Sequence, residues 1–329
     1  MAPMLLAGIA LAYLGFGARV IPPATVIEAL FAFDPTRFDH KVVVELRMVR
    51  LLVGLLAGAS LGVCGALLQA ITRNPLGEPH VLGLNAGAVL AVVSSITFGP
   101  ALASGFPAVS GPVLIAARPV VAACGAAAMF ALVLATASAG RQGLTPLKVT
   151  LCGIALSSFA AALTSAQLIL DDQTLATIRL WLAGDLSGQS YAALRGAVPV
   201  CLLGFGLACA IAGRLNAMAL GDGVASGLGV DLVRTRWAGL AAAGLLCGAA
   251  VSLAGPIGFV GLVVPHVVRA CITRDLRLLL PLSAVLGACL LLAADLAARS
   301  LLAPRELATG ALTALVGVPV FLALAARSR

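Results

Sequence analysis

Apolar residues in this chain do not alternate with polar ones at the spacing of a half-buried strand or a water-facing helix. They come in unbroken runs. Ten runs are read, at approximately 1–17, 46–71, 83–98, 112–138, 145–169, 191–213, 236–254, 258–272, 278–296 and 307–326. An α-helix needs about 20 apolar residues to cross a bilayer, so each run predicts a membrane span. The third and eighth are short and flanked by Gly and Pro, which predicts partial or tilted crossings. The first run starts without a basic segment. Gly17-Ala18-Arg19 is a poor cleavage site, so this run reads as a span rather than a removable signal. The longest intervening segments are 18–45, 170–190 and 214–235, too short for a soluble domain. The expected fold is therefore all-α and polytopic, a single transmembrane domain over 1–329 with about ten helices. Arg47–Gly83 and Arg234–Arg269 each begin basic, pass through a Gly/Ala-rich run and break at Pro. That echo predicts two five-helix halves related as an inverted repeat.

Composition agrees. Apolar residues make up 61% of the chain and charged residues 10%, against about 25% charged in soluble domains. With a mean hydropathy of +1.10, lipid is the solvent. The 36 Gly and 5% aromatic content favour a tight helix bundle over a barrel with aromatic girdles. Gly54, Gly58 and Gly62 fall four apart, as do Gly83 with Gly87 and Gly244 with Gly248. Ridges without side chains let backbones approach, so these runs are expected inside the bundle.

The net charge of +8 comes from basic residues between the runs, which suits membrane orientation rather than nucleic acid. An even number of spans puts both termini on one side. The two loop sets carry about 11 and 10 Lys/Arg, a margin of one, and the richer set places the termini in the cytoplasm. The eight Cys form no C-x-x-C pair and read as small core residues, and the three His show no ligand spacing. No metal site and no cofactor are expected. With Lys41 and Lys148 the only lysines, there is no phosphate-binding loop of the P-loop kind. No ionisable residue sits centrally in a run: Asp295 and Glu28 lie near ends, and Asp171 and Asp172 lie beyond the fifth. Proton and ion relays need such residues. Their absence weighs against an ion-coupled secondary transporter and favours a pore driven by another protein.

Four stretches carry more specific information. They are Arg47-Met-Val-Arg50; Gln69-Ala-Ile-Thr-Arg73-Asn74-Pro75-Leu76-Gly77-Glu78-Pro79; Leu215-Asn216-Ala217-Met218-Ala219-Leu220-Gly221 with Leu228-Gly229-Val230; and Gly255-Pro256-Ile257-Gly258-Phe259-Val260-Gly261-Leu262-Val263-Val264-Pro265-His266-Val267-Val268-Arg269. Together, from about residue 40 to the end, these resemble the FecCD-like permeases. Those are the membrane subunits of type II ABC importers for iron–siderophores, haem and cobalamin.

The resemblance implies a non-enzymatic transport subunit in the cytoplasmic (inner) membrane. Its implied partners are a second permease subunit (a homo- or heterodimer), two cytoplasmic ABC ATPases and a periplasmic or surface-anchored substrate-binding protein. Cargo is read as an iron–siderophore type chelate, with haem or cobalamin as alternatives. Arg47, Arg50 and Arg299 are the implied docking residues for the binding protein, since guanidinium grips carboxylate with two parallel bonds. Asp295, four residues before Arg299, is placed to orient it. This chain has Met48-Val49 where the family usually shows an apolar residue and Pro, which bears on how the helix begins there. Asn74 and Leu76 are the implied cytoplasmic gate. Ser157, Ser158, Thr164 and Ser165 are candidates to line the path, unless their hydroxyls bond back to their own helix. Residues 215–230 are the implied ATPase-coupling segment, read as paired short helices. Leu215, Met218, Leu220 and Leu228 would be its apolar anchors, with Asn216, Gly221 and Asp222 shaping it. The Gly/Pro-rich stretch 255–269 is expected to be a re-entrant or broken element packed inside protein, and His266 to be structural.

Overall fold

The computed structural model describes residues 2–17, 20–105, 111–139, 145–301 and 306–327. These residues form helices joined by turns. In chain order they are α1 (Ala2–Gly15), α2 (Pro23–Phe31), α3 (Phe38–Lys41), a π-helical turn (Val42–Arg47), α4 (Met48–Thr72), α5 (Leu84–Gly105), α6 (Gly111–Ser138), α7 (Pro146–Leu170), α8 (Asp172–Leu182), α9 (Tyr191–Ala219), α10 (Asp222–Gly227), α11 (Leu232–Ala254), α12 (Val260–Cys271), α13 (Leu276–Leu301) and α14 (Thr309–Arg327). Among the described residues, six helices are long and apolar enough to cross a membrane, and four shorter apolar helices accompany them. Each apolar run corresponds to one helix. Caps mark several starts: the side chains of Thr145, Asp171, Ser190 and Asp231 accept the backbone N–H groups of Lys148, Thr174, Ala193 and Arg234.

The centre of the bundle is α4. It packs on α13 along one side and on α11 along another, and α11 in turn packs on α6 and α9. The glycines read from the sequence sit at these seams. A Cβ on Gly58 would lie 2.5 Å from the Gly287 carbonyl oxygen, and one on Gly244 would lie 2.8 Å from the Ala127 Cβ. Backbone lies against backbone there, which only Gly permits.

Two features differ from a simple run-to-helix translation. The segments 18–45, 170–190 and 214–235 contain the short helices α2, α3, α8 and α10, which no long apolar run announced. The break expected across 255–269 is confined to residues 255–259, and α12 continues through Pro265. Proline removes the N–H that would bond the carbonyl four residues back, here that of Gly261. Gln69 supplies the missing donor, its Nε2 lying 3.2 Å from that oxygen, so the helix survives.

The backbone also returns partway through the bundle twice. After α4 ends, residues 73–83 fold back, and Pro79 comes beside Leu61 and Gly65 around Gly261. Leu61 is near the middle of α4, so α5 starts at about half depth. Residues 255–259 make the matching break, and the two meet: Asn85 Nδ2 donates to the Ile257 carbonyl at 3.2 Å, and Phe259 N donates to Glu78 Oε1 at 2.6 Å. Irregular backbone is tolerated at such depth because protein surrounds it.

Candidate functional site

At the Arg50 end of α4, five elements deliver polar side chains to one place. α13 brings Asp295 and Arg299 one turn apart, α4 brings Arg50, the π-helical turn brings Arg47, α1 brings Tyr13, and the chain around the start of α14 brings Glu306 and Thr309. Asp295 has no exposure and is saturated with donors. Arg50 reaches it through Nε (3.0 Å) and Nη2 (2.8 Å), Tyr13 through its hydroxyl (2.5 Å) and Thr309 through Oγ1 (2.6 Å). Arg299 Nε stands 3.4 Å from Asp295, and its guanidinium stacks 4.1 Å above the Tyr13 ring. Arg47 instead donates to the carbonyls of Leu14 (2.6 Å) and Gly15 (2.9 Å), where α1 ends. Arg50 Nη1 pairs with Glu306 at 2.7 Å, and Asp185 lies 3.6 Å from Nη2. The arginines are at most 9% exposed, yet all three line a cavity of about 430 Å³ that Glu45, Asp39 and Glu306 also edge. Arg47 and Arg50 thus share a cavity while anchoring to different neighbours. They are not a bare basic patch.

At the Thr72 end, Arg73 turns the chain in a left-handed conformation (φ 50°). The next residues close a tight loop: Asn74 Oδ1 accepts the Leu76 N–H at 3.0 Å and the Asn74 carbonyl accepts that of Gly77 at 3.0 Å. Asn74 Nδ2 lies 3.3 Å from Thr150 Oγ1 on α7, while Leu76 stays 46% exposed. Arg73 Nη2 reaches the Met218 carbonyl at 2.7 Å and pairs with Asp222, whose other oxygen pairs with Arg236 at 3.0 Å. Slight burial pushes the Asp222 carboxyl up. The hydrogen bond from Arg73 and the charge of Arg236 outweigh it and hold the group below its ordinary value.

The segment 215–230 is the end of α9, a turn, and one short helix, α10, rather than a pair. Leu215 and Met218, read from the sequence as anchors for a partner's groove, are each 1% exposed and belong to the core. They lie on the buried stripe that α9 extends to its last turn. The apolar side chains offered to solvent are Leu220, Val224 and Leu228. Asn216 joins the segment to the start of α13, donating to Asp275 Oδ1 (2.5 Å) and accepting the Leu276 N–H (3.0 Å). Gly221 takes φ 111°, and Asp222 opens α10 without capping it through its side chain.

The family model for the FecCD transport family matches residues 4–327. The chain belongs to that family. It is accordingly a membrane-embedded permease of an ABC importer, a subunit that works with ATPase and substrate-binding partners. Among relatives, it is 38% identical to the iron(3+)-hydroxamate import system permease FhuB of Bacillus subtilis (strain 168), over 99% of this chain and 83% of that one. It is 40% identical to the vitamin B12 import system permease BtuC of Vibrio cholerae (strain El Tor Inaba N16961), over 88% and 84%. Among solved structures, an inward-facing metal-chelate type ABC transporter superposes with a TM-score of 0.80 at 28% identity, covering 99% of this chain and 97% of that one.

Within the permease, α7 is the least buried of the six long helices among the described residues, and the helical stretch containing α4 the most buried. Ser158 and Ser165 lie on its open face, Thr164 faces the core, and Ser157 packs near Gly83. Ser158 and Thr164 bond back to the carbonyls of Ile154 (3.0 Å) and Ala160 (2.9 Å). Sequence reading missed three residues. Tyr13 is one aromatic inside an apolar run. Glu78 is a carboxylate in a loop that gave no sign of descending to half depth. Arg73 lies inside the Gln69–Pro79 motif, which by itself assigns it no role. For Arg73, an arginine at the last turn of a span just before Asn-Pro was the available signal.

Proposed function

We propose that this permease carries an iron–siderophore type chelate across the cytoplasmic membrane, with both termini in the cytoplasm, ten crossings and a second permease subunit completing the path. On this reading the Arg50 end faces outward and receives a carboxylate of the binding protein at Arg47, Arg50 and Arg299. The Thr72 end faces inward. There Asn74 and Leu76 form the gate, and Leu220, Val224 and Leu228 enter a groove of one of two ATPases. The open face of α7, with Ser158 and Ser165, is where the partner permease and the path belong. An inverted repeat is supported by the paired breaks at half depth and by matched packing, α4 on α13 and α11 on α6.

The observation that carries the coupling mechanism is the run of contacts Asp222–Arg73–Asn74. It joins the segment an ATPase would move directly to the loop that would gate the path. ATP and ADP states of the partner then favour different openings by differential binding. Relatives named for hydroxamate and citrate iron complexes support the cargo class, and the cobalamin relative keeps the corrinoid alternative in play.

The test is reconstitution of the permease with its ATPases and binding protein in liposomes, scoring ferric hydroxamate uptake. Uptake is expected only with ATP. Glu78, buried at half depth, is the observation that favours an ion-coupled carrier. Accumulation driven by a proton gradient without ATPases would establish that carrier instead.

A further inference from the structure

We propose that Glu306 is an internal stand-in for the docking partner's carboxylate, so that docking is an exchange of carboxylates on Arg50. The inference rests on the docking role just assigned to the arginine cluster. Arg50 divides its donors between two acids of opposite character. Nε and Nη2 hold Asp295, which has no exposure and also accepts from Tyr13 and Thr309. Nη1 holds Glu306, whose side chain is 42% exposed. Among the described residues Glu306 makes no other ion pair. Asp295 cannot leave without stranding a buried guanidinium. Glu306 can, because its half-exposed carboxylate returns to water while Asp295 keeps the buried Arg50 paired.

The edge of Arg50 that Glu306 covers faces the cavity that the other two arginines line. Asp185, Asp39 and Glu45 are the other acids near this edge or along the cavity wall. Asp185 is 3.6 Å from Nη2 and does not occupy Nη1. An incoming carboxylate therefore meets a guanidinium whose plane Asp295 has already fixed, and little ordering cost remains. Glu306 lies three residues before Thr309, which shares Asp295 and opens α14. Its release frees the chain leading into that helix, giving the docked state a structural consequence inside the permease. Glu306 thus sets how tightly the partner docks.

The experiment uses the assembled transporter in lipid nanodiscs and, as probe, the soluble binding protein that supports uptake by the wild type. Glu306→Gln keeps the shape and removes the competing charge. Its Kd for the binding protein is expected to fall by at least about two- to fivefold at low ionic strength, a lower bound taken from exposed ion pairs, and the gain to fade in high salt. Glu306→Ser, which offers Arg50 no amide, is expected to shift Kd the same way. A Kd unchanged or raised in both variants overturns the exchange, because a purely structural role for Glu306 could only weaken docking. The charge-neutral pair Arg50→Gln with Asp295→Asn separates the two claims. Loss of binding there alongside unchanged Kd in the Glu306 variants refutes the exchange alone. Undiminished binding there refutes the docking role and the exchange with it.

Discussion

Arg73 and Asp222 lie 149 positions apart in the chain and form an ion pair at the Thr72 end of α4. One belongs to the loop that carries Asn74 and Leu76, the other to the first turn of α10. On the proposed coupling, motion of α10 would reach the loop through the Arg73 side chain, which also holds the Met218 carbonyl. Arg73→Gln and Asp222→Asn are each expected to lower chelate imported per ATP hydrolysed, by about 0.5–2 kcal/mol of coupling. The double variant is expected to be no worse than the poorer single, since both remove one interaction. Transport stoichiometry in proteoliposomes checks this, and additive losses would show that the two act separately.

The same pair fixes a pH expectation. Asp222 is held below its ordinary carboxylate value. A group with a depressed folded pKa contributes fully above its unfolded value, about 3.9 for Asp, and loses that contribution only as pH falls through the folded value. Between pH 6 and 8 it stays ionised. The ratio of Asp222→Asn to wild-type uptake should thus be flat across that range, and a ratio that changes with pH would assign the effect to another group.

The Asp295 network should dominate the stability of the opposite end. Asp295→Ala leaves Arg50 buried without its principal counter-charge and is expected to cost about 3–5 kcal/mol. Tyr13→Phe removes one hydrogen bond to a charged group and should cost less, about 1.5–3 kcal/mol. Unfolding of the detergent-solubilised permease by denaturant gives both values, and equal costs would mean that the network is not centred on Asp295.

How much of this could be read from residues alone differs by level. The long helices follow from the apolar runs, because lipid demands about 20 apolar residues and punishes anything else. The seams followed from Gly58, Gly62, Gly244 and Gly248, because close approach requires Gly in any fold that uses it. The depth of the 73–83 loop was not legible. Glu78 sits between two prolines, which signal a turn but not where it lies; packing against Gly258 and Phe259 places it inside. Burial of Leu215 and Met218 was hidden for a similar reason. A polar break in sequence does not reveal that α9 runs to Ala219 with its apolar stripe still turned inward.

The glycine seams make opposite predictions at two sites. Gly62→Val drives a side chain into the Ser283 backbone and should abolish a stable fold or cost several kcal/mol, because backbone cannot move aside as a side chain can. Gly206 has nothing within 4 Å of where its Cβ would be, so Gly206→Ala should be neutral or stabilise by about 0.5–1 kcal/mol through lower backbone entropy. Melting temperatures of the two variants check both signs.

The contact of α4 with α13 has a mechanical meaning. Where Gly58 rests on Gly287 there are no side chains to change rotamer, so the pair has no second packing to switch into. It behaves as a keel. Whatever tilts when cargo passes would have to tilt around it, with Gly58 and Gly287 part of the fixed frame.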